Sequence, residues 1–258
     1  MTKAADVEPR YDFSGLGFQA GECAVVTGAA SGIGRSVAGI LARSGVSVLA
    51  WDVNQAGLAD LGTDLAAEKG TVTTRRVNTT DEAEIEAAFA ATKGIEVQYL
   101  VNNAGPPSTT QVTVAEGVKD AIGGYAAMTD AYLGSHAGEA ASVVFTASIA
   151  GNFSVAATPD WYPAAKAGLV GYTRHLAVKL RGRPRANAVA PGLTVTARTA
   201  ETFDLPAVRE RLAKYPMGRA GQAWEVATAI CFLLSPAASF VNGALIPVEG
   251  ASTWGSIS

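Results

Sequence analysis

The stretch VVTGAASGIGRSVAGILARSGVSVLAWD, residues 25–52, constrains this fold more than any other part of the chain. It is a run of β-branched residues, a glycine turn, a helix-length segment and a second apolar run ending in an acid. That order is the strand–helix–strand unit of a parallel sheet. Gly28, Gly32 and Gly34 stand at the strand-to-helix turn, where glycine lets backbone approach a pyrophosphate and lets the helix pack on the strand. The helix start offers unpaired N–H groups and the positive end of its dipole to phosphates. Asp52 closes the second strand 18 residues after Gly34, where an acid can accept the hydroxyls of an adenosine ribose. A 2′-phosphate beside that carboxylate would meet roughly 1–4 kcal/mol of repulsion at about 4 Å. No lysine or arginine precedes Gly32 in the turn, and Arg35 is expected on the solvent face of the helix. The unit therefore predicts a dinucleotide site that favours NAD over NADP.

The rest of the chain repeats the alternation. Residues 23–27, 46–51, 71–77, 97–102, 141–147, 185–190 and 244–248 read as short buried strands, rich in β-branched residues as in a parallel sheet covered on both faces. Between them lie helix segments near 33–43, 55–68, 81–92, 112–136, 160–181 and 223–234. Thr80 is expected to cap the third of these, ahead of acids in its first turn. The pattern predicts an α/β fold, a single-domain, doubly wound parallel sheet of about seven strands with helices on both faces. Residues 1–20 read as an N-terminal appendage to a domain spanning 21–258. Within that domain, 193–216 reads as an inserted loop and short helix over the substrate.

A net charge of −3 and the absence of any basic run argue against nucleic acid as a partner. No apolar run is long enough for a bilayer, so no membrane partner is expected. The N-terminus lacks the apolar core of a secretory signal. Cys23 and Cys231, with His136 and His175, have no metal-ligand spacing, so no metal site is expected and a reducing cytoplasm fits.

The segment DWYPAAKAG, 160–168, carries a phenol and an ammonium four residues apart. On a helix, Tyr162 and Lys166 share one face. Asp160 is placed as the N-cap, with Pro163 tolerated in the first turn. Alone, such a pair is most simply an ordinary exposed helix start.

Five motifs in order change that reading. TGAASGIG (27–34), NNAG (102–105), SIAG from Ser148, YPAAK (162–166) and APG (190–192) together resemble the short-chain dehydrogenase/reductase family, in its branch of about 250 residues. The resemblance runs over roughly residues 20–250. It implies Ser148, Tyr162 and Lys166 as catalytic residues, with Tyr162 as acid/base for hydride transfer between a secondary alcohol and a ketone. A free tyrosine with a pKa of about 10 is a poor base near neutrality. The Lys166 ammonium and a positive nicotinamide ring are expected to favour the phenolate. By resemblance, Lys166 also holds the nicotinamide ribose, Ser148 the substrate oxygen, and Thr194 and Thr196 the carboxamide. Asn103, Ala104 and Gly105 line the adenosine ribose, and Asn102 is left a structural role. Ser31, Ile33, Val53, Asn78, Thr79, Tyr162, Pro191 and Gly192 complete the expected cofactor set. A homotetramer is implied as well.

The chain departs from the family twice. Ala121 stands where many members carry an asparagine that holds a relay water, and no asparagine occurs between 104 and 151. Asn78 replaces the more usual aspartate near the adenine, where an amide oxygen can accept the same hydrogen bond. Pro106, Phe153, Val155, Trp161, Leu193, Phe203 and Trp254 are candidates for a small, mainly apolar alcohol or ketone pocket. Reduction of a 3-oxoacyl thioester and a non-catalytic nicotinamide-binding sensor or scaffold are the alternatives.

Overall fold

The computed structural model describes residues 8–135, 141–153 and 158–254. In chain order the elements are β1 (Cys23–Thr27), α1 (Gly32–Arg43), β2 (Ser47–Asp52), α2 (Gln55–Asp64), β3 (Val72–Arg76), α3 (Glu82–Ala90) and β4 (Tyr99–Asn102). They continue with α4 (Val114–Ser135), β5 (Ser142–Thr146), α5 (Trp161–Lys179), β6 (Arg185–Pro191), β7 (Thr194–Val195), α6 (Pro206–Ala213), β8 (Gly221–Gln222), α7 (Ala223–Leu234) and β9 (Leu245–Val248).

Seven strands form one sheet in the order β3-β2-β1-β4-β5-β6-β9, and every neighbouring pair is parallel. The chain reverses its direction of growth between β1 and β4. In such sheets the crevice beyond the strand ends at that reversal is where ligands bind. The expected doubly wound α/β sheet of about seven strands is the fold observed.

Side-chain alternation in the strands builds two cores. Ala24, Val26, Val48, Ala50, Tyr99, Val101 and Val144 face α1, α2 and α7. Cys23, Val25, Leu49, Trp51, Leu100, Val143 and Phe145 face α3, α4 and α5. All residues of β1, β5 and β6 are buried, which explains their near-continuous apolar runs. Edge strand β3 is only partly covered and carries Arg75 and Arg76, charges that discourage further pairing.

Several boundaries differ from the sequence reading. The second helix stops at Asp64 rather than 68. The third is capped by Asp81, whose carboxylate accepts from the N–H groups of Ala83 and Glu84, and not by Thr80. Thr80 instead donates to the Asn78 side chain through its N–H and its hydroxyl. The acid one position later is the stronger cap, because it also meets the helix dipole. β7 at the start of the expected insertion pairs with β8, which lies beyond its end, across 25 residues, a contact too short to leave a period in the sequence.

Residues 8–20, expected to be an appendage, are anchored to the rest of the chain. Phe18 lies in the first core, and Tyr11 stacks 5.7 Å from Trp224 of α7. The Phe13 N–H donates to Ser44 Oγ at 2.7 Å, and Arg43 Nε donates to the Tyr11 carbonyl at 3.0 Å. Among the described residues no helix is long and apolar enough to cross a membrane.

Candidate active site

The residues singled out from the sequence stand at or beyond the C-terminal ends of β1, β2, β3, β4, β5 and β6, and at the start of α5. Gly34 lies against the glycine turn so closely that a Cβ there would sit 2.2 Å from the Gly28 carbonyl oxygen. Any side chain would push α1 off the turn. No side chain caps α1, and its N-cap residue Ser31 is exposed. The helix start is thus open to an anion. Asp52 sits alongside: its carboxylate accepts from the Ala30 N–H at 3.0 Å and from the Asn54 N–H at 2.9 Å. The close-packed glycine turn, the open helix start and the adjacent carboxylate fit the pyrophosphate and ribose of a dinucleotide. Val53 is exposed beside Asp52. Arg35 turns away to Asp64 of α2 and to the carbonyls of Ala30 and Gly57. It is half-buried rather than solvated, and its charge is already matched.

A chain of hydrogen bonds ties this turn to α5. Asn103 Nδ2 donates to the Thr27 carbonyl at 3.1 Å, and Thr146 Oγ1 donates to Asn103 Oδ1 at 3.2 Å. Lys166 Nζ then donates to the Thr146 carbonyl at 2.8 Å. The N–H groups of Asn103 and Ala104 both meet Thr27 Oγ1. The Asn103 side chain is therefore a strut between strands, and any ribose contact from this stretch falls to its backbone, to Ala104 or to Gly105. Asn102 is fully buried and donates to Thr129 of α4, the structural part expected of it. Asn78 Oδ1 accepts both Thr80 bonds, so the oxygen expected to meet the adenine is engaged locally. The neighbouring Thr79 is partly buried.

Ser148 follows β5, and its Oγ accepts from the Ala150 N–H at 3.2 Å. The turn it opens rests on α5 because residue 151 is glycine: a Cβ there would lie 2.6 Å from the Lys166 carbonyl carbon. Ser148 stands on this turn close enough to Tyr162 to stabilise its phenolate. Lys166 Nζ lies 5.7 Å from the Tyr162 ring centroid and 5.4 Å from that of Tyr125. The three expected catalytic residues converge. Asp160 occupies the N-cap position, yet its side chain makes no capping bond and its backbone is helical.

The electrostatics differ from the expectation. Burial raises the Tyr162 pKa above the ordinary phenol value, and the Ser148 hydrogen bond and the Arg198 charge oppose it only in part. Lys166 is not among the groups that move it. The lysine is half-buried, and its desolvation, with the Arg198 charge, lowers its pKa to about 8. Removing a charge from water outweighs the mutual help of the pair here.

Ala121 is buried against Trp161 and Ala165, so apolar packing fills the position where the family asparagine was aligned. Trp161 is fully buried with its Nε1 donating to the Thr110 carbonyl at 2.8 Å. It belongs to the α4–α5 packing and not to a pocket wall. Phe153 and Trp254 meet edge to face at 5.8 Å. Pro106, Leu193 and Phe203 are partly exposed, while Val155 lies outside the described residues. Pro191 is buried, and Gly192 follows it at the end of β6. Thr194 is buried with its hydroxyl on the Gly192 carbonyl. Thr196 lies against the glycine turn, 3.0 Å from where a Gly32 Cβ would stand. Thr27, Tyr125, Thr146 and Arg198 escaped the sequence reading. Thr27 and Thr146 sit within or beside the quoted motifs, whereas Tyr125 on α4 and Arg198 lie outside them.

A family model described as enoyl-(acyl carrier protein) reductase matches residues 28–253. Cyclohexanol dehydrogenase of Acinetobacter sp. (strain SE19) is 33% identical over 89% of this chain and 94% of its own. The 3-oxoacyl-[acyl-carrier-protein] reductase FabG of Thermotoga maritima is 32% identical over 89% of this chain and 97% of its own. A 7α-hydroxysteroid dehydrogenase solved with NADH and 7-oxo glycochenodeoxycholic acid superposes with a TM-score of 0.82 at 26% identity, covering 93% of this chain and 97% of its own. With a parallel sheet of seven strands, a glycine turn at its switch point and these matches along most of its length, the chain belongs to the short-chain dehydrogenase/reductase family of oxidoreductases.

Proposed function

We propose that this protein interconverts a secondary alcohol and a ketone on a small, mainly apolar substrate, with NAD as the hydride carrier. The observation that carries the reading is the meeting of Ser148, Tyr162 and Lys166 at the end of the hydrogen-bonded chain from the glycine turn. Bound NAD would accept or donate the hydride. Gly28, Ser31, Gly32, Ile33 and Gly34 would hold its pyrophosphate, and Asp52 and Val53 its adenosine ribose. Asn78, Thr79, Asn103, Ala104 and Gly105 would border the adenosine. Pro191, Gly192, Thr194 and Thr196 would border the nicotinamide, with Lys166 on its ribose.

The chemistry needs a proton at the substrate oxygen in reduction and its removal in oxidation. Ser148 would hold that oxygen while Tyr162 transfers the proton. The raised phenol pKa of the protein alone keeps Tyr162 protonated, the form that serves reduction. The similarity to a cyclohexanol dehydrogenase supports a cyclic or branched secondary alcohol. The similarity to FabG favours a 3-oxoacyl thioester as the second reading. A cytoplasmic homotetramer, with 193–216 covering the substrate, completes the proposal.

Cofactor choice tests it. NAD is expected to support turnover at least about tenfold better than NADP by kcat/KM, a difference near 1.4 kcal/mol. Asp52→Ala is expected to narrow that gap, and equal use of the two cofactors by the unmodified protein would refute the role of Asp52. Turnover of a 3-oxoacyl thioester with no turnover of cyclohexanol would select the second reading.

A further inference from the structure

The Lys166 ammonium has few of the partners a half-buried cation needs. Among the described residues it forms no ion pair, and its Nζ donates to the Thr146 carbonyl at 2.8 Å. Its other neighbours are two aromatic faces. The Tyr162 ring centroid is 5.7 Å away and that of Tyr125 is 5.4 Å away. Tyr162 stands about one turn back on the same helix, whereas Tyr125 is buried and comes from α4.

Helix geometry explains how Tyr125 arrives there. Ala121 and Tyr125 are four residues apart on α4 and share one face. Ala121 meets Trp161 and Ala165 of α5, and one turn further on Tyr125 meets Lys166. The helix itself is seated by Gly124, where a Cβ would lie 2.4 Å from the Thr79 carbonyl oxygen. The Tyr125 ring is then held at both ends. It lies 6.2 Å from the Phe145 ring, and its hydroxyl donates at 3.4 Å to the same Thr146 carbonyl that receives Lys166.

An aromatic ring carries negative charge on its face. A cation within about 6 Å of the centroid is attracted to it, the more so once water is removed. Burial drives Lys166 the other way, toward loss of its proton. Burial also raises the Tyr125 pKa, so a neutral ring and not a phenolate meets the ammonium. The ionisable groups that meet or act on Lys166 are thus Tyr162, Tyr125 and, through its charge, Arg198.

We propose that Tyr125 is a positioning residue whose ring face holds the Lys166 ammonium charged beside Tyr162. The inference rests on Lys166 serving Tyr162 in the proposed reaction.

The titration of Lys166 is followed by NMR in the full-length protein labelled at the lysine ε-carbons, its signal assigned by its loss in Lys166→Met. Tyr125→Phe keeps the ring face and is expected to leave the midpoint within about a quarter of a pH unit. Mono- and then trifluorinated phenylalanine at the same position thin the charge on the ring face while nearly keeping its volume. The midpoint is expected to fall stepwise along that series, by at least about half a pH unit at the last step. Where a secondary alcohol is oxidised, the high-pH limb of kcat, at which Lys166 loses its proton, is expected to move down in the same order. A midpoint that stays put or rises along the series would overturn the proposal. So would a fall already complete in Tyr125→Phe, which would assign the effect to the hydroxyl. Because the midpoint is read without cofactor or substrate, a stepwise fall in a protein that turns over no alcohol would uphold this inference and refute the proposed reaction.

Discussion

At the scale of single residues, burial governs the site. Lys166 is a half-buried cation, and desolvation lowers its pKa to about 8 from 10.5. Between those values the unfolded chain binds more protons than the folded one at this residue, so its contribution to stability rises with pH across that window. Below about pH 8 the full cost of the buried charge is present. Lys166→Met removes the charge and keeps much of the volume. The variant is expected to be more stable than the unmodified protein at pH 7, with an advantage that shrinks steadily from pH 8 to pH 10. Urea unfolding at several pH values measures the difference, in which the buried tyrosines and cysteines cancel. An advantage that stays constant with pH would mean that Lys166 is not desolvated as described. The sequence revealed the identity and spacing of Tyr162 and Lys166, because i to i+4 spacing on a helix is local. It could not reveal the direction of their titration, which depends on what α4, β5 and the segment around Arg198 place over them.

At the scale of elements, the turn after β5 is seated on α5 by a backbone contact. Gly151 lies against the Lys166 carbonyl carbon, so a methyl group there has to separate the turn from the helix. Gly151→Ala is expected to lower stability by about 1–3 kcal/mol, the usual cost of overpacking. It should also lower kcat while leaving NADH affinity within about twofold, because Ser148 moves relative to Tyr162 and the glycine turn of α1 does not. Denaturant titration and steady-state kinetics check both halves, and unchanged kcat with normal stability would contradict the seating. Helices and strands were legible from their periods, and the order of motifs located each loop of the site. The caps were less so: Thr80 and Asp81 are both good cap residues, and only the chain path selects the acid. The sequence RANAVA likewise gives no sign that buried Arg185 donates to the carbonyls of Leu233, Leu234 and Ser235 at the end of α7. That bond joins residues about fifty positions apart.

At the scale of the whole molecule, two cores pack on the two faces of one sheet, and the site lies at the switch point where the two directions of winding meet. Val178 on α5 and Phe232 on α7 remain exposed, on helices through which the expected homotetramer would associate. Light scattering is expected to give four times the 26.3 kDa of the chain, and a monomer at working concentration would refute the assembly. In the proposed function Tyr162 is the proton donor and acceptor at the substrate oxygen. The most direct measurement of that role is the turnover of a panel of secondary alcohols by Tyr162→Phe, followed at the absorbance of NADH, with NADH affinity measured alongside. The phenyl ring keeps its packing against Trp161, 5.4 Å away between ring centroids, so the loss is confined to the hydroxyl. A fall in kcat of at least about a hundredfold is expected, the lower range for a lost general acid–base, with NADH affinity nearly intact. Turnover near that of the unmodified protein would contradict it.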